Sequence, residues 1–527
     1  MTDATGQGGC LPPASAVAGI ARGRPARRLS DRTIVAIGIA ILVAYYGLGT
    51  WHNQGRPGAR ALEPQGWWGW WGWFDQAQYL RSVQAFARLD LRPDQHWYAL
   101  GYPLLGAPFV GVLPRHPFLL VDLACLLAAF AGFVVFARRC GITTTAAVGA
   151  FLLGAIGSES VRENWVIPWS TTPGCATIWL FLALCVGHLD APADETRGTR
   201  RRRLVLAGLL AGLIPLFRPA DLLMPAIGVT LMAWWSLRDR TLRPGDPFLL
   251  LLGAAVPLVP YGLLYLRIYG PHPTRYMENS RSIGLDFHEL PMKTVLLLVS
   301  PRPWFPSGSG LLMRLPWMAA GFAGMLLLPS LRSRTARRGL TMLTAMMLAY
   351  MMLFFAYVDL RPSGLWTYKN VHYFKWMLPG IALLGVVFLR ALLRGPRPAA
   401  VLALLAVVLT SMVRLVPVPV PAAEAEVRLL QYPGTPPAWS ASYWGQARLA
   451  DAKGVFDNIR TMRVLPDGQG FRVLSLSRPF EGHVVWMRHA GLGIGPDQAP
   501  RRWKAYVTVG WPCWLPPYAC DHLDPRH

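Results

Sequence analysis

The 527-residue chain is 53% hydrophobic and only 15% charged, whereas soluble domains carry roughly 25% charged residues. Its net charge of +24 comes from 52 Lys and Arg against 28 Asp and Glu. The arginines gather in short segments between apolar runs, with no helix-turn-helix, RRM or zinc-finger pattern, which argues against a nucleic-acid-binding protein and against an ordinary soluble enzyme.

Residues 1–32 read as a disordered, basic cytoplasmic tail: Arg22, Arg24, Arg27, Arg28 and Arg32 precede an apolar run too long for a cleavable signal peptide. A helix needs about 20 mainly apolar residues to cross the hydrocarbon core. Candidate spans are 33–50, 117–137, 142–157, 173–189, 204–217, 220–237, 247–266, 310–331, 340–357, 374–393 and 399–416, about eleven by that length criterion. The stretch 98–113 is apolar but short and contains Pro103 and Pro108, so it reads as a re-entrant or interfacial helix or part of a further span. Residues 204–237 have the pattern of a helical hairpin turning at Arg218-Pro219.

Orientation follows from the basic loops. Threading the spans puts Arg138-Arg139, Arg197 with Arg200–Arg203, Arg238/Arg240/Arg243, Arg332–Arg338 and Arg390–Arg397 on the side of the N-terminal tail. The expected topology is a multi-pass protein of the bacterial inner membrane with a cytoplasmic N-terminus. Residues 33–416 form the membrane domain, and loops 51–116, 158–172, 267–309 and 358–373 lie on the periplasmic side. The tail 417–527 is richer in Pro, Gly, Trp and charge, and 471–477 and 483–487 resemble short strands. It is expected to be a small α/β or β extracytoplasmic domain, so the fold class is an all-α polytopic membrane protein with that appendage. Of the 7 cysteines, Cys125, Cys175 and Cys185 lie in apolar runs as packing residues. Cys513 and Cys520 stand in the polar tail, where either a disulfide or two free thiols fits an oxidising compartment.

The most informative segment runs from Trp67 to Phe109. Trp67, Trp68, Trp70, Trp71, Trp73 and Phe74 precede Asp75, and Ala77, Leu80, Val83 and Ala87 then recur with helical period. A bland reading makes the tryptophans an interfacial belt and Asp75 a helix cap. A second acidic segment, Ser158–Asn164, carries Glu159 and Glu163 at i, i+4 on one helix face, with Arg162 beside them. The loop 267–309 holds His272, Arg275, Tyr276, Glu278, Arg281, Asp286, His288 and Glu289, and is either a lid over a substrate or a solvated connection. No P-loop, GxSxG, HExxH or dinucleotide fingerprint occurs.

Asp75, Tyr79 one turn later, Leu89-Asp90, and Tyr102-Pro103-Leu104-Leu105 together resemble the first extracytoplasmic loop of GT-C superfamily glycosyltransferases, nearest the bacterial protein-mannosyltransferase-like and lipopolysaccharide-core glycosyltransferase-like enzymes. Phe217-Arg218-Pro219, Ser300-Pro301-Arg302 with Gly310, and His372-Tyr373-Phe374 running into Pro379 resemble later segments of that family, in order over roughly residues 33–395. Gln76 stands where the family has its second acid, and His372 where many relatives have Arg.

The resemblance implies sugar transfer from a polyprenyl-phosphate donor to a periplasmic glycan, lipid or protein acceptor, with inversion. Asp75 is the implied general base, with Glu163 and Glu159 as further candidate catalytic carboxylates. Arg218, Arg302, Lys369, His372 and Lys375 are candidates for the donor phosphate. Trp73, Tyr79, His96 and Tyr102 are candidates for substrate contact. No residue set has metal-ligand spacing; no cofactor is required by the pattern, and a divalent metal ion stays open. A secondary transporter or lipid flippase, and a non-catalytic membrane scaffold, are the rival readings; a transporter would place ionisable groups near the bilayer midplane in repeated halves.

Overall fold

The computed structural model describes residues 29–54, 74–192, 194–285, 287, 290–299, 309–357, 360, 364–367 and 369–393, and the backbone of short strands between 424 and 506. The segments around Trp73, Arg302, residues 399–416, Cys513 and Cys520 lie outside the described residues, as does the side chain of Glu159.

The described helices follow in chain order: α1 Asp31–Gln54, α2 Phe74–Ala87, α3 Gly101–Gly106, α4 Leu119–Arg139, α5 Thr144–Ile156, α6 Glu159–Val166, α7 Thr171–Leu189, α8 Arg197–Phe217, α9 Leu223–Arg238, α10 Asp246–Tyr269, α11 Arg275–Ile283, α12 Leu290–Leu298, α13 Leu311–Arg314, α14 Met318–Leu326, α15 Arg334–Ala356, α16 Gly364–Thr367 and α17 Met377–Leu393. Among the described residues, six segments are long and apolar enough to cross a membrane: Asp31–Trp51, Leu119–Arg139, Thr171–Leu189, Pro219–Arg238, Asp246–Tyr269 and Arg334–Ala356. Thr144–Ile156 and Met377–Leu393 are shorter apolar helices in the same bundle. The fold is that of a polytopic helical membrane protein.

Two expected spans take a different form. The stretch 310–331 is not one helix: it breaks into α13, α14 and a 3-10 turn at Leu328–Ser330. Pro316 and Pro329 each remove a backbone donor, which stops a continuous ladder. The apolar run 204–217 is the second part of α8, whose first turns carry Arg197 and Arg200–Arg203. The chain does turn at Arg218-Pro219, where α8 ends at Phe217, Arg218 is extended, and Pro219 opens a short 3-10 turn into α9; but α8 packs on α10 and α7 rather than back on α9, so the two do not form a packed hairpin.

Small residues allow close helix contact, the usual device where lipid tails are as apolar as the side chains they face. A Cβ added at Gly208 of α8 would meet the Leu250 carbonyl oxygen at 2.0 Å, and one at Gly253 of α10 would meet that of Val205 at 2.1 Å. The interior is aromatic. Phe133 of α4 meets Trp179 of α7 edge-on with centroids 4.7 Å apart, and Phe130 packs on Phe151 of α5 at 5.2 Å.

The arginine groups share one end of the bundle, and several bond across it. Arg338 pairs with Asp239 at 2.5 Å, and Arg334 joins the same carboxylate. Arg203 pairs with Glu195 at 2.5 Å, and Arg390 donates to the Gly141 carbonyl at 3.2 Å. The opposite end gathers α2, α3, α6 and the 3-10 turn Asn370–Phe374. Beyond residue 423, strands β1 Glu424–Arg428, β2 Ala447–Asp451, β3 Gly454–Ile459, β4 Val464–Pro466, β5 Phe471–Val473, β6 Gly482–His489, β7 Leu492–Gly493 and β8 Arg502–Tyr506 pair antiparallel, β6 in the order β3-β2-β6-β7.

Candidate active site

Asp75 stands in the first turn of α2, where the helix dipole favours a negative charge. The inward face of α2 repeats Gln76, Tyr79, Val83 and Phe86 at helical spacing, and all four are buried. Gln76 donates to the Pro168 carbonyl at 3.1 Å, and Tyr79 bonds the Ser170 hydroxyl at 3.1 Å. These two contacts fix α2 against the segment after α6, and so set where Asp75 sits.

After α2 the chain turns back through Leu89, which has a left-handed φ of 56°. Arg92 bridges Asp90 at 2.7 Å, and hydrogen bonds from Arg92 hold this partly exposed carboxyl down to about 2. His96 is folded into the loop: one ring nitrogen meets the Ser82 hydroxyl at 2.7 Å and the other the Asp90 carbonyl at 3.0 Å, and the ring lies 4.3 Å from Phe86. Its contacts are internal to the loop, so His96 serves there as a strut. Two residues on, the Tyr98 phenol donates to Asp75. Burial first, and then the Asp75 charge, push the Tyr98 hydroxyl well above its ordinary pKa, so it stays a donor.

Gly101 lets α3 lie against the end of α8, since a Cβ there would meet the Leu216 carbonyl oxygen at 2.5 Å. Arg218, two residues past that contact, is 8% exposed. Its guanidinium lies against the paired rings of Phe354, at 4.9 Å, and Tyr373, at 4.7 Å, which pack on each other at 5.1 Å. It donates to the Tyr350 hydroxyl at 2.9 Å and lies 3.6 Å from Asp221. Tyr79 and Tyr373 are each within electrostatic reach of both Asp75 and Arg218, and Tyr373 also of Tyr276. The Tyr98 ring packs at a tilt on both Tyr79 and Tyr276, with centroids 4.8 Å apart in each case. The carboxylate and the guanidinium therefore flank one tyrosine-walled region at the ends of the helices.

A second set joins α6 to the 3-10 turn before α17. Lys369 pairs with Glu163 at 2.5 Å, with about a quarter of each side chain exposed. His372 lies flat on Trp169, centroids 3.7 Å apart at 9°, and its Nδ1 is 3.3 Å from the Thr171 hydroxyl. Burial, aided by Arg218 and Lys375, lowers the His372 pKa well below its ordinary value, so the ring is neutral. Lys375 is 1% exposed, donates to Thr172 at 2.7 Å and lies 5.1 Å from the Trp165 ring. Behind it, Tyr102 donates to the wholly buried Asp122 at 2.9 Å.

Of the sequence candidates, Asp75, Tyr79, Arg218 and His372 come together. Glu163 and Lys369 are joined to each other, while Lys375, Tyr102 and His96 are packed in the walls. Sequence reasoning passed over Tyr98, Tyr350, Tyr373, Asp221, Asp122 and Trp169 as site residues. The Arg218-to-Asp221 spacing of i, i+3 was the readable signal for that pair. Among the described residues no group of three or more His, Cys, Asp or Glu is placed to hold a metal ion.

No protein-family model matches the chain, and no curated protein matches it. Among solved structures, the chain is similar to ArnT from Cupriavidus metallidurans bound to undecaprenyl phosphate, at 14% identity and a TM-score of 0.45 over 68% of this chain and 61% of that one. Its apo state gives 15% identity and 0.45 over 68% of this chain and 60% of that one. The apo oligosaccharyltransferase of Archaeoglobus fulgidus gives 14% and 0.40 over 74% of this chain and 56% of that one. The chain thus spans about three fifths of the length of the ArnT chains it resembles.

Proposed function

We propose that this chain is a GT-C-type membrane glycosyltransferase that moves a sugar from a polyprenyl-phosphate donor to an acceptor hydroxyl on the periplasmic side. The observation that carries the reading is the pairing of roles around one tyrosine-walled region: a half-buried carboxylate, Asp75, held by the Tyr98 phenol, and a buried guanidinium, Arg218, held against two adjoining rings.

In this reading Asp75 takes the proton of the acceptor hydroxyl as that oxygen bonds the anomeric carbon. The bond from the anomeric carbon to the phosphate oxygen breaks, and polyprenyl phosphate leaves with the electron pair. A single displacement with one base inverts the anomeric centre. Arg218 stabilises the charge growing on the leaving phosphate; its planar fork suits two phosphate oxygens. Lys369 and Arg302 are further phosphate candidates, with His372 and Lys375 shaping the wall behind them. Tyr79 and Trp73 would contact substrate. Glu163 positions Lys369, and Glu159 remains a candidate carboxylate of the same segment. The proposed acceptor is an envelope glycan, lipid or protein.

Mass spectrometry of envelope glycans and lipids from a strain lacking this chain tests the reading. One missing sugar, restored by the wild-type chain and not by Asp75→Asn, is the expected outcome. An unchanged set of envelope sugars contradicts it.

A further inference from the structure

At the end of the bundle remote from Asp75 lies a cavity of about 500 Å³. It is enclosed by the end of α4 and the turn after it (Cys140, Ile142), the Leu327–Ser333 segment, the first turns of α15 and the last turn of α17. Its lining is mixed in character. Arg332 and Arg390, with Ser330 and Ser333, are its polar residues; leucines 327, 331 and 340 and Val387 are apolar. Among the described residues no carboxylate lines it.

Two facts bear on the occupant. Arg390 is aimed: its guanidinium donates to the Gly141 carbonyl at 3.2 Å and to the Thr143 hydroxyl at 3.1 Å, which fixes it at the rim. Arg332 is exposed, and among the described residues no acidic side chain pairs with it. The neighbouring carboxylates are already engaged elsewhere: Asp190 accepts from Thr335 at 2.8 Å, Asp239 from Arg338, and Asp31 from Arg138 at 2.7 Å. The cavity is therefore net positive and partly apolar, at the depth where helix ends meet lipid headgroups. α15 runs 23 residues from this cavity to Ala356 beside the Arg218 cluster, about 35 Å at 1.5 Å per residue, close to the thickness of a bilayer. The site is thus on the opposite membrane face from Asp75. Basic pockets between spanning helices on the arginine-rich face suit anionic headgroups, and a soluble anion would make no use of the apolar residues.

We infer that this cavity binds one anionic phospholipid of the surrounding leaflet, its phosphate between Arg332 and Arg390 and the start of its acyl chains on Leu331, Leu340 and Val387. The lipid joins the end of α4, the Leu327–Ser333 segment, α15 and α17.

Native mass spectrometry of the full chain in detergent, titrated with dioleoylphosphatidylglycerol or dioleoylphosphatidylcholine, tests this. The expected result is tighter retention of the anionic lipid, reduced about fivefold by Arg332→Gln and by a similar factor again by adding Arg390→Gln. Arg332→Gln touches no described partner and keeps the test valid if the Arg390 change disturbs folding. Ala391→Trp, which fills the cavity without changing charge, is expected to abolish retention of both lipids. Equal retention of the two lipids, no loss in the Arg332 variant, or displacement of the lipid by millimolar sodium phosphate alone would each overturn the inference.

Discussion

Tyr98 donates a hydrogen bond to Asp75 across 23 residues of sequence, closing the loop that carries both. The phenol orients the carboxylate through one of its two oxygens. Tyr98→Phe keeps the ring that packs on Tyr79 and Tyr276 and removes only the hydroxyl. A hydrogen bond to a charged group contributes about 1.5–3 kcal/mol, so sugar transfer is expected to fall about 10- to 100-fold with little change in thermal stability. Turnover at the wild-type level in purified Tyr98→Phe would show that this bond does not organise the reaction.

Arg218 is held by more than charge, since its guanidinium lies against two adjoining rings and one phenol accepts its hydrogen bond. Arg218→Lys keeps the charge and loses both the fork and the stacking. The expected outcome is loss of most transfer activity, with a raised KM for the lipid-linked donor. Kinetics on proteoliposomes, with a melting curve of each variant in detergent, separate this from a folding defect.

Glu163 and Lys369 are read as partners rather than as independent catalysts. Their pair is about a quarter exposed, so its contribution to stability is on the order of 1 kcal/mol or less. Glu163→Gln and Lys369→Gln are expected to give similar modest losses of activity, and the double variant no more than either. A Glu163→Gln loss far larger than that of Lys369→Gln would instead assign Glu163 a direct role in the chemistry.

The loop after α2 should loosen in acid. Burial lowers the pKa of His96, and it holds His116 at about 4 against an ordinary 6.5. Both rings are neutral in the fold, while the unfolded loop takes up protons near pH 6.5. The stability these groups contribute is complete above that value and is lost as pH falls from about 6.5 toward 4. Hydrogen exchange of peptides spanning 90–116, corrected for intrinsic rates, should match between pH 7 and 8 and speed up at pH 4.5. His116→Phe should blunt that change, and protection unaltered at pH 4.5 would contradict it.

Close packing of α8 on α10 predicts a contrast within one helix. Gly253 faces the Val205 carbonyl, while at Gly262 an added Cβ meets nothing within 4 Å. Gly253→Ala is expected to destabilise by about 1–3 kcal/mol through overpacking. Gly262→Ala should be neutral or stabilising, because alanine is the better helix former by about 1 kcal/mol. Melting curves of the two single variants check this.

The membrane helices were legible because length and apolarity alone specify them; α4, α7 and α15 fall almost where the apolar runs do. The break at Pro316 was legible as a residue but hidden inside a run of sufficient length. Asp122 was hidden for a similar reason: it is one acid within Leu119–Cys125, and only the fold brings Tyr102 to it. Asp75 and Arg218 could be singled out by type and setting. The tyrosines between them could not, since Tyr98, Tyr276, Tyr350 and Tyr373 come from four separate segments and meet only through packing. His96 carried a polar ring in a suggestive place, yet its hydrogen bonds close within its own loop.

Proteoliposomes of the purified chain, supplied with radiolabelled polyprenyl-phosphate sugars and an envelope extract as acceptor, offer the most direct measurement. The wild type should move label into the extract, and Asp75→Asn, folded as judged by its melting curve, should slow that transfer about 10²- to 10⁴-fold, the usual range for a lost general base. Label transferred by folded Asp75→Asn at the wild-type rate would contradict the role given to this carboxylate.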